Sequence, residues 1–165
     1  MDPARGIGSD ANTKKAQRMT PILLVQGANM SRIGRRNPAH YGSLFPAEFD
    51  AVLTQYANGL GLDLAVFYTN IEGEAINRIY DAADSGCKGL IMNPAGFTQN
   101  GYALGGCVKE CGMPYIEIHC QNPLGRGVHS VTGEASKGIV CGFGPDSYFI
   151  GLDAMKRLLA AQPGA

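Results

Sequence analysis

Five short apolar runs, each broken off by glycine, asparagine or histidine, alternate along this chain with four amphipathic stretches, and few folds accommodate that order. The runs are Pro21–Val25, Leu62–Tyr68, Gly89–Met92, Tyr115–Ile118 and Gly138–Val140. They are short and lack a polar alternation, as strands covered on both faces do. Between them, Pro46–Asn58 places Phe49, Val52, Leu53 and Tyr56 at helical spacing and is stopped by Gly59 and Gly61. Glu74–Ala83 is a second expected helix, with Ile76, Ile79 and Tyr80 inward. Tyr102–Cys111 is a third, weakened by Gly105 and Gly106. A last helix runs to Leu159 with Asp146 as its N-cap candidate. Strand–helix alternation of this kind builds right-handed βαβ units, so the pattern predicts an α/β chain with a five-stranded parallel sheet between two helical layers.

Size and charge narrow the functions. A chain of 165 residues favours one domain, expected over residues 21–162. Lys+Arg and Asp+Glu both number 14, which gives no basic face for nucleic acid or an anionic membrane. The segment Met1–Arg18 is polar and lacks the apolar middle of a secretory signal, so residues 1–20 read as a flexible tail, with Met19 a plausible start. Cys87, Cys107, Cys111, Cys120 and Cys141 form no CxxC pair. Cys107 and Cys111 share an i,i+4 spacing that a metal would also use, but buried small thiols in a reducing compartment are the simpler expectation. A cytoplasmic location follows.

In a doubly wound sheet, ligands bind beyond the carboxyl ends of the strands. That rule selects Gly27–Asn29, Asn70–Glu72, Asn93–Gln99 and His119–Asn122. Two pairs within reach of that edge carry chemistry. Arg36 precedes Tyr41 by five residues, and a guanidinium beside a phenol stabilises the phenolate, a base able to take a proton next to a carbonyl. The same spacing also suits a solvated arginine and a packing tyrosine. Glu117 and His119 share one face of a strand, where the carboxylate would hold the imidazole and favour its protonated form. A satisfied histidine at a strand end also fits. Neither GxGxxG nor a P-loop occurs. Ser130 beside His129 lacks a nucleophile-elbow context, and three histidines without HExxH give no reason to expect a metal centre.

Taken in order, these segments resemble the type II 3-dehydroquinate dehydratase family. Gln26–Gly42 resembles the family's NGPNLNLLGxREPxxYG without a gap. Glu72-Gly73-Glu74 resembles its HEGEL, Asn93–Thr98 its INPGAYTH, Ile116–Asn122 its IEVHxSN and Gly138–Gly144 its GVIxGFG. The likeness runs from about Pro21 to Leu159. It implies a flavodoxin-like fold, no cofactor, and a homo-oligomer built from trimers, in the family a dodecamer. It implies a small hydroxy-ketone as substrate. The resemblance puts the base on Tyr41, its activating arginine on Arg36, a water-holding asparagine on Asn29, and the general acid on His119, oriented by Glu117. Asn93 would bind a substrate hydroxyl, with Gln99, Cys120, Gln121 and Arg126 as further substrate contacts. The segment from Asn29 to Tyr41 would close as a lid.

The departures cluster on substrate-holding positions. Gln99 stands for the family's histidine and Gln121 for its serine, while Gly106 stands for an acidic residue that meets a neighbouring subunit's lid arginine. The basic stretch after Asn122 is shortened to Pro123–Ser130, leaving Arg126 to replace the family's arginine. A site built for a polar ligand penalises mismatched partners heavily. The sequence therefore predicts the same proton chemistry on a substrate other than, or additional to, 3-dehydroquinate, in a less polar pocket. Two alternatives remain: an authentic 3-dehydroquinate dehydratase, or a silent homologue that binds or assembles.

Overall fold

A computed structural model describes residues 19–35 and 45–161. The segment holding Arg36, His40 and Tyr41 lies outside the described residues, as do residues 1–18. Five strands form one parallel sheet: β1 (Thr20–Ala28), β2 (Leu62–Tyr68), β3 (Gly89–Ala95), β4 (Tyr115–His119) and β5 (Gly138–Cys141), in the order β2-β1-β3-β4-β5. Four α-helices accompany them among the described residues: α1 (Pro46–Gly59), α2 (Glu72–Asp84) and α3 (Tyr102–Glu110) connect successive strands, and α4 (Asp146–Ala160) follows β5. The sequence thus folds as the flavodoxin-like α/β sandwich it predicts.

The cause is visible in β1. Ile22 and Leu24 turn to one face and join Phe49, Leu53 and Ala57 of α1 and Tyr148, Leu152 and Met155 of α4. Leu23 and Val25 turn to the other and meet Ala75, Ile79 and Ala82 of α2 with Leu104, Cys107 and Val108 of α3. Both faces of the strand are dry, so it reads as an unbroken apolar run.

Several local expectations need correction. β1 begins at Thr20, one residue inside the expected tail, and continues through Gln26 to Ala28. β3 likewise runs through Asn93 to Ala95. The polar ends stay in the sheet because their side chains find buried partners. In α1, Val52 and Tyr56 are exposed, and Ala57 takes the buried position. Tyr80 of α2 also faces out, its hydroxyl donating to Glu110 Oε2 at 3.3 Å. Small Ala75 and Ala82 sit against the sheet instead, which brings the helix close. Asp146 is the first residue of α4 rather than its cap, which is Pro145. None of the five cysteines is in a disulfide among the described residues, and only Cys107 and Cys120 are buried. Among the described residues no helix is long and apolar enough to cross a membrane, and no group of three or more potential metal ligands occurs.

Candidate active site

The strand order reverses between β1 and β3, and the carboxyl ends of β1, β3 and β4 open a cavity there. It has a volume of about 290 Å³. β1 and its turn contribute Ala28, Asn29 and Met30; the β3 loop contributes Asn93, Ala95, Gly96, Thr98 and Gln99; β4 and its loop contribute His119, Cys120, Gln121, Pro123, Arg126 and Val128. The approach of β1 to β3 at this edge is tight. A Cβ on Gly27 would lie 2.2 Å from the Pro94 carbonyl oxygen, so only glycine fits.

The Asn29, Asn93, Gln99, His119, Cys120, Gln121 and Arg126 named from sequence all line this one cavity. Glu117 stands behind His119. Asn70–Glu72 do not line it, because β2 is the edge strand. Asn70 Oδ1 instead accepts the Asn29 backbone N–H at 2.8 Å, and Glu72 Oε1 accepts the Leu104 N–H at 2.9 Å, at the start of α3. Among the described residues, seven of the fourteen that line it carry polar side chains, and Arg126 is the one with a permanent charge. The expectation of a less polar pocket therefore fails. The glutamines that replace the family's histidine and serine exchange one polar group for another.

Glu117 is 0% exposed and His119 7%. The imidazole Nε2–H donates to Glu117 Oε1 at 2.7 Å, which leaves Nδ1 to exchange a proton with a ligand. The other carboxylate oxygen, Oε2, accepts the Tyr115 hydroxyl at 2.7 Å and the Thr132 hydroxyl at 2.6 Å. Burial alone would push the Glu117 pKa up. Side-chain hydrogen bonds from His119, Ser130, Thr132 and Tyr115 together outweigh it and hold the carboxyl below its ordinary value. The pair is an anion in the core touching an imidazole at the cavity wall.

Asn93 is held from two sides. Its Nδ2 donates to the Tyr148 hydroxyl at 2.8 Å, and its Oδ1 accepts the Ala95 N–H at 3.2 Å. Tyr148 in turn donates to Gln26 Oε1 at 2.8 Å. This relay fixes which end of the Asn93 amide faces where, and leaves one N–H and one lone pair for a ligand. Arg126 reaches the cavity from a short 3₁₀ turn, Leu124–Arg126. The Asn122 side chain shapes it by accepting the Leu124 N–H at 3.0 Å and the Gly125 N–H at 3.3 Å. Ser130 contacts Thr132 Oγ1 at 3.2 Å, within the Glu117 surroundings. Sequence reasoning did not find Tyr115, Thr132, Tyr148 or Gln26. Tyr115 alone was within reach of it, since it stands two residues before Glu117 on the same strand face.

Comparison with known proteins agrees with this geometry. The family profile described as "Dehydroquinase class II" matches residues 20–156. A protein named 3-dehydroquinate dehydratase from Syntrophotalea carbinolica is 34% identical over 147 residues, covering 87% of this chain and 99% of the relative. One of the same name from Xanthomonas oryzae pv. oryzae is 36% identical over 140 residues, 83% of this chain and 95% of the relative. Among solved structures, the type II dehydroquinase from Propionibacterium acnes superposes with a TM-score of 0.79 at 30% identity, covering 85% of this chain and 99% of that one. A 3-dehydroquinate dehydratase-like protein from Bifidobacterium longum gives 0.65 at 26% identity, over 86% of this chain and 99% of that one. The motifs, the fold and these relatives converge: the chain belongs to the class II dehydroquinase family.

Proposed function

We propose that the chain is a hydro-lyase that dehydrates 3-dehydroquinate to the conjugated enone. The observation that carries this reading is the His119–Glu117 pair facing a polar cavity that also holds Asn29, Asn93 and Arg126. The carboxylate fixes the ring through Nε2–H, and an imidazole so oriented is suited to hand a proton from Nδ1 to a departing hydroxyl. The arginine suits the substrate's carboxylate, and the Asn93 amide its ring hydroxyls. Tyr41, ionised beside Arg36, would take the proton alpha to the ketone, and a water on Asn29 would stabilise the enolate. The segment carrying both would close over the ligand. Side chains and water suffice for every step.

A second reading is favoured by Gln99 and Gln121 at the cavity wall: turnover of a related hydroxy-ketone acid, in addition to or instead of 3-dehydroquinate. Cysteines without disulfides among the described residues fit a cytoplasmic enzyme. Membership of the family is what supports a homo-oligomer built from trimers. Incubation of the purified protein with 3-dehydroquinate tests the assignment. The expected result is growth of enone absorbance to completion; a flat trace at micromolar enzyme would overturn the substrate.

A further inference from the structure

We propose that Tyr115 is a positioning residue for the acid: with Thr132, its phenol grips the far oxygen of Glu117 and so sets how tightly the near oxygen holds the His119 imidazole. The inference rests on the reading of His119 as the proton donor.

Tyr115, Glu117 and His119 occupy alternate positions of β4 and so share one face. Tyr115 is 1% exposed, so its hydroxyl needs a partner, and that partner is Glu117 Oε2. The carboxylate thus sits in a cradle of three short contacts. Two of them, from Tyr115 at 2.7 Å and Thr132 at 2.6 Å, fall on Oε2, and one, from His119 at 2.7 Å, falls on Oε1. Ser130 Oγ accepts the Gly133 N–H at 3.1 Å and keeps this loop against the carboxylate. The fit excludes a side chain at Gly133, whose Cβ would lie 2.9 Å from Oε1.

A carboxylate shares one negative charge between two oxygens. Donors on Oε2 draw density from Oε1 and weaken its hold on the imidazolium proton. The ring stays oriented, yet gives its proton up more readily. Without the phenol, Oε2 loses one of its donors, charge returns to Oε1, and the imidazolium is gripped harder. That makes a weaker acid in the same place. Among the described residues, Glu117 faces Tyr115, Ser130, Thr132 and His119, and His119 shares its cavity wall with Arg126, whose charge does not change with the substitution. The protons involved belong to the Glu117–His119 pair, not to either residue alone.

Tyr115→Phe removes one oxygen and keeps the ring. The alkaline limb of its kcat profile should move up by roughly half a pH unit to one unit. At neutral pH kcat should fall about threefold to tenfold, with KM nearly unchanged, because the ground-state contacts of the cavity are untouched. Titration of the pair by ¹⁵N NMR of labelled histidine reads the same shift without turnover. Thr132→Val acts on the same oxygen and should move the titration in the same direction; it carries the test should Tyr115→Phe fail to fold. An unmoved NMR titration in the folded variant overturns the inference, whatever the activity does. A titration moved upward supports it, and one moved downward overturns it, even if His119→Asn were to keep full turnover; that second result would bring down only the reading of His119 as the acid.

Discussion

Replacing Tyr148 with phenylalanine deletes a single oxygen from the core behind Asn93 of the cavity wall, and the structure says what that oxygen does. The ring is 1% exposed and packs edge-on against Phe49 at 5.0 Å, a contact the phenylalanine keeps. The hydroxyl joins two 2.8 Å bonds, one from Asn93 Nδ2 and one to Gln26 Oε1. Gln26 is 0% exposed, so the variant leaves its buried Oε1 and one donor of Asn93 without the hydroxyl that joined them. Each buried polar group left unsatisfied costs about 1–3 kcal/mol. Two such losses sum to about 2–6 kcal/mol, against a total stability on the order of 5–15 kcal/mol. Melting should drop by about 5–15 °C for a chain of this size. Urea unfolding at fixed protein concentration measures it. The double variant Gln26→Leu/Tyr148→Phe should recover more than 1 kcal/mol, roughly, of that loss, since removing both partners is nearly neutral. A single-variant loss below about 0.5 kcal/mol, or no coupling in the cycle, would refute the relay.

Acid should destabilise the fold through Glu117. Its pKa is lowered on folding, so it contributes stability above the unfolded value, roughly pH 4.3, and that contribution is lost as pH falls through the lower folded value. Glu117→Gln should flatten the plot of unfolding free energy against pH across that window; an unchanged slope would contradict the assignment. Ala95 carries φ +48° at the cavity edge, a left-handed conformation that costs an L-residue about 1–2 kcal/mol. Ala95→Gly should relieve this and, after the glycine's own entropy cost, raise the urea midpoint by the equivalent of roughly 0.5 kcal/mol. A loss of about 1 kcal/mol instead would show the position unstrained.

The sequence made the architecture legible because its strands are apolar on both faces and its helices carry spaced apolar residues. It misjudged ends and orientations wherever a distant residue decided the matter. Gln26 and Asn93 resemble loop residues, and they extend β1 and β3 because Tyr148, 122 and 55 positions away, satisfies them. Tyr80 has the spacing of an inward residue, but small Ala75 and Ala82 win the sheet side by allowing close approach. The Glu117–His119 pair was readable from strand alternation. Thr132, 15 residues on, was not, because the loop that returns it has no periodic signal. The polar departures at Gln99 and Gln121 predicted a drier pocket, whereas side-chain amides keep the wall polar.

The most direct measurement is the rate of enone formation from 3-dehydroquinate by the wild-type chain and by His119→Asn under saturating substrate. If the imidazole gripped by Glu117 delivers the proton that carries the hydroxyl away, kcat should fall by about 10²–10⁴ while binding survives. Equal rates for the two proteins would contradict that role and leave the buried carboxylate with a structural task alone.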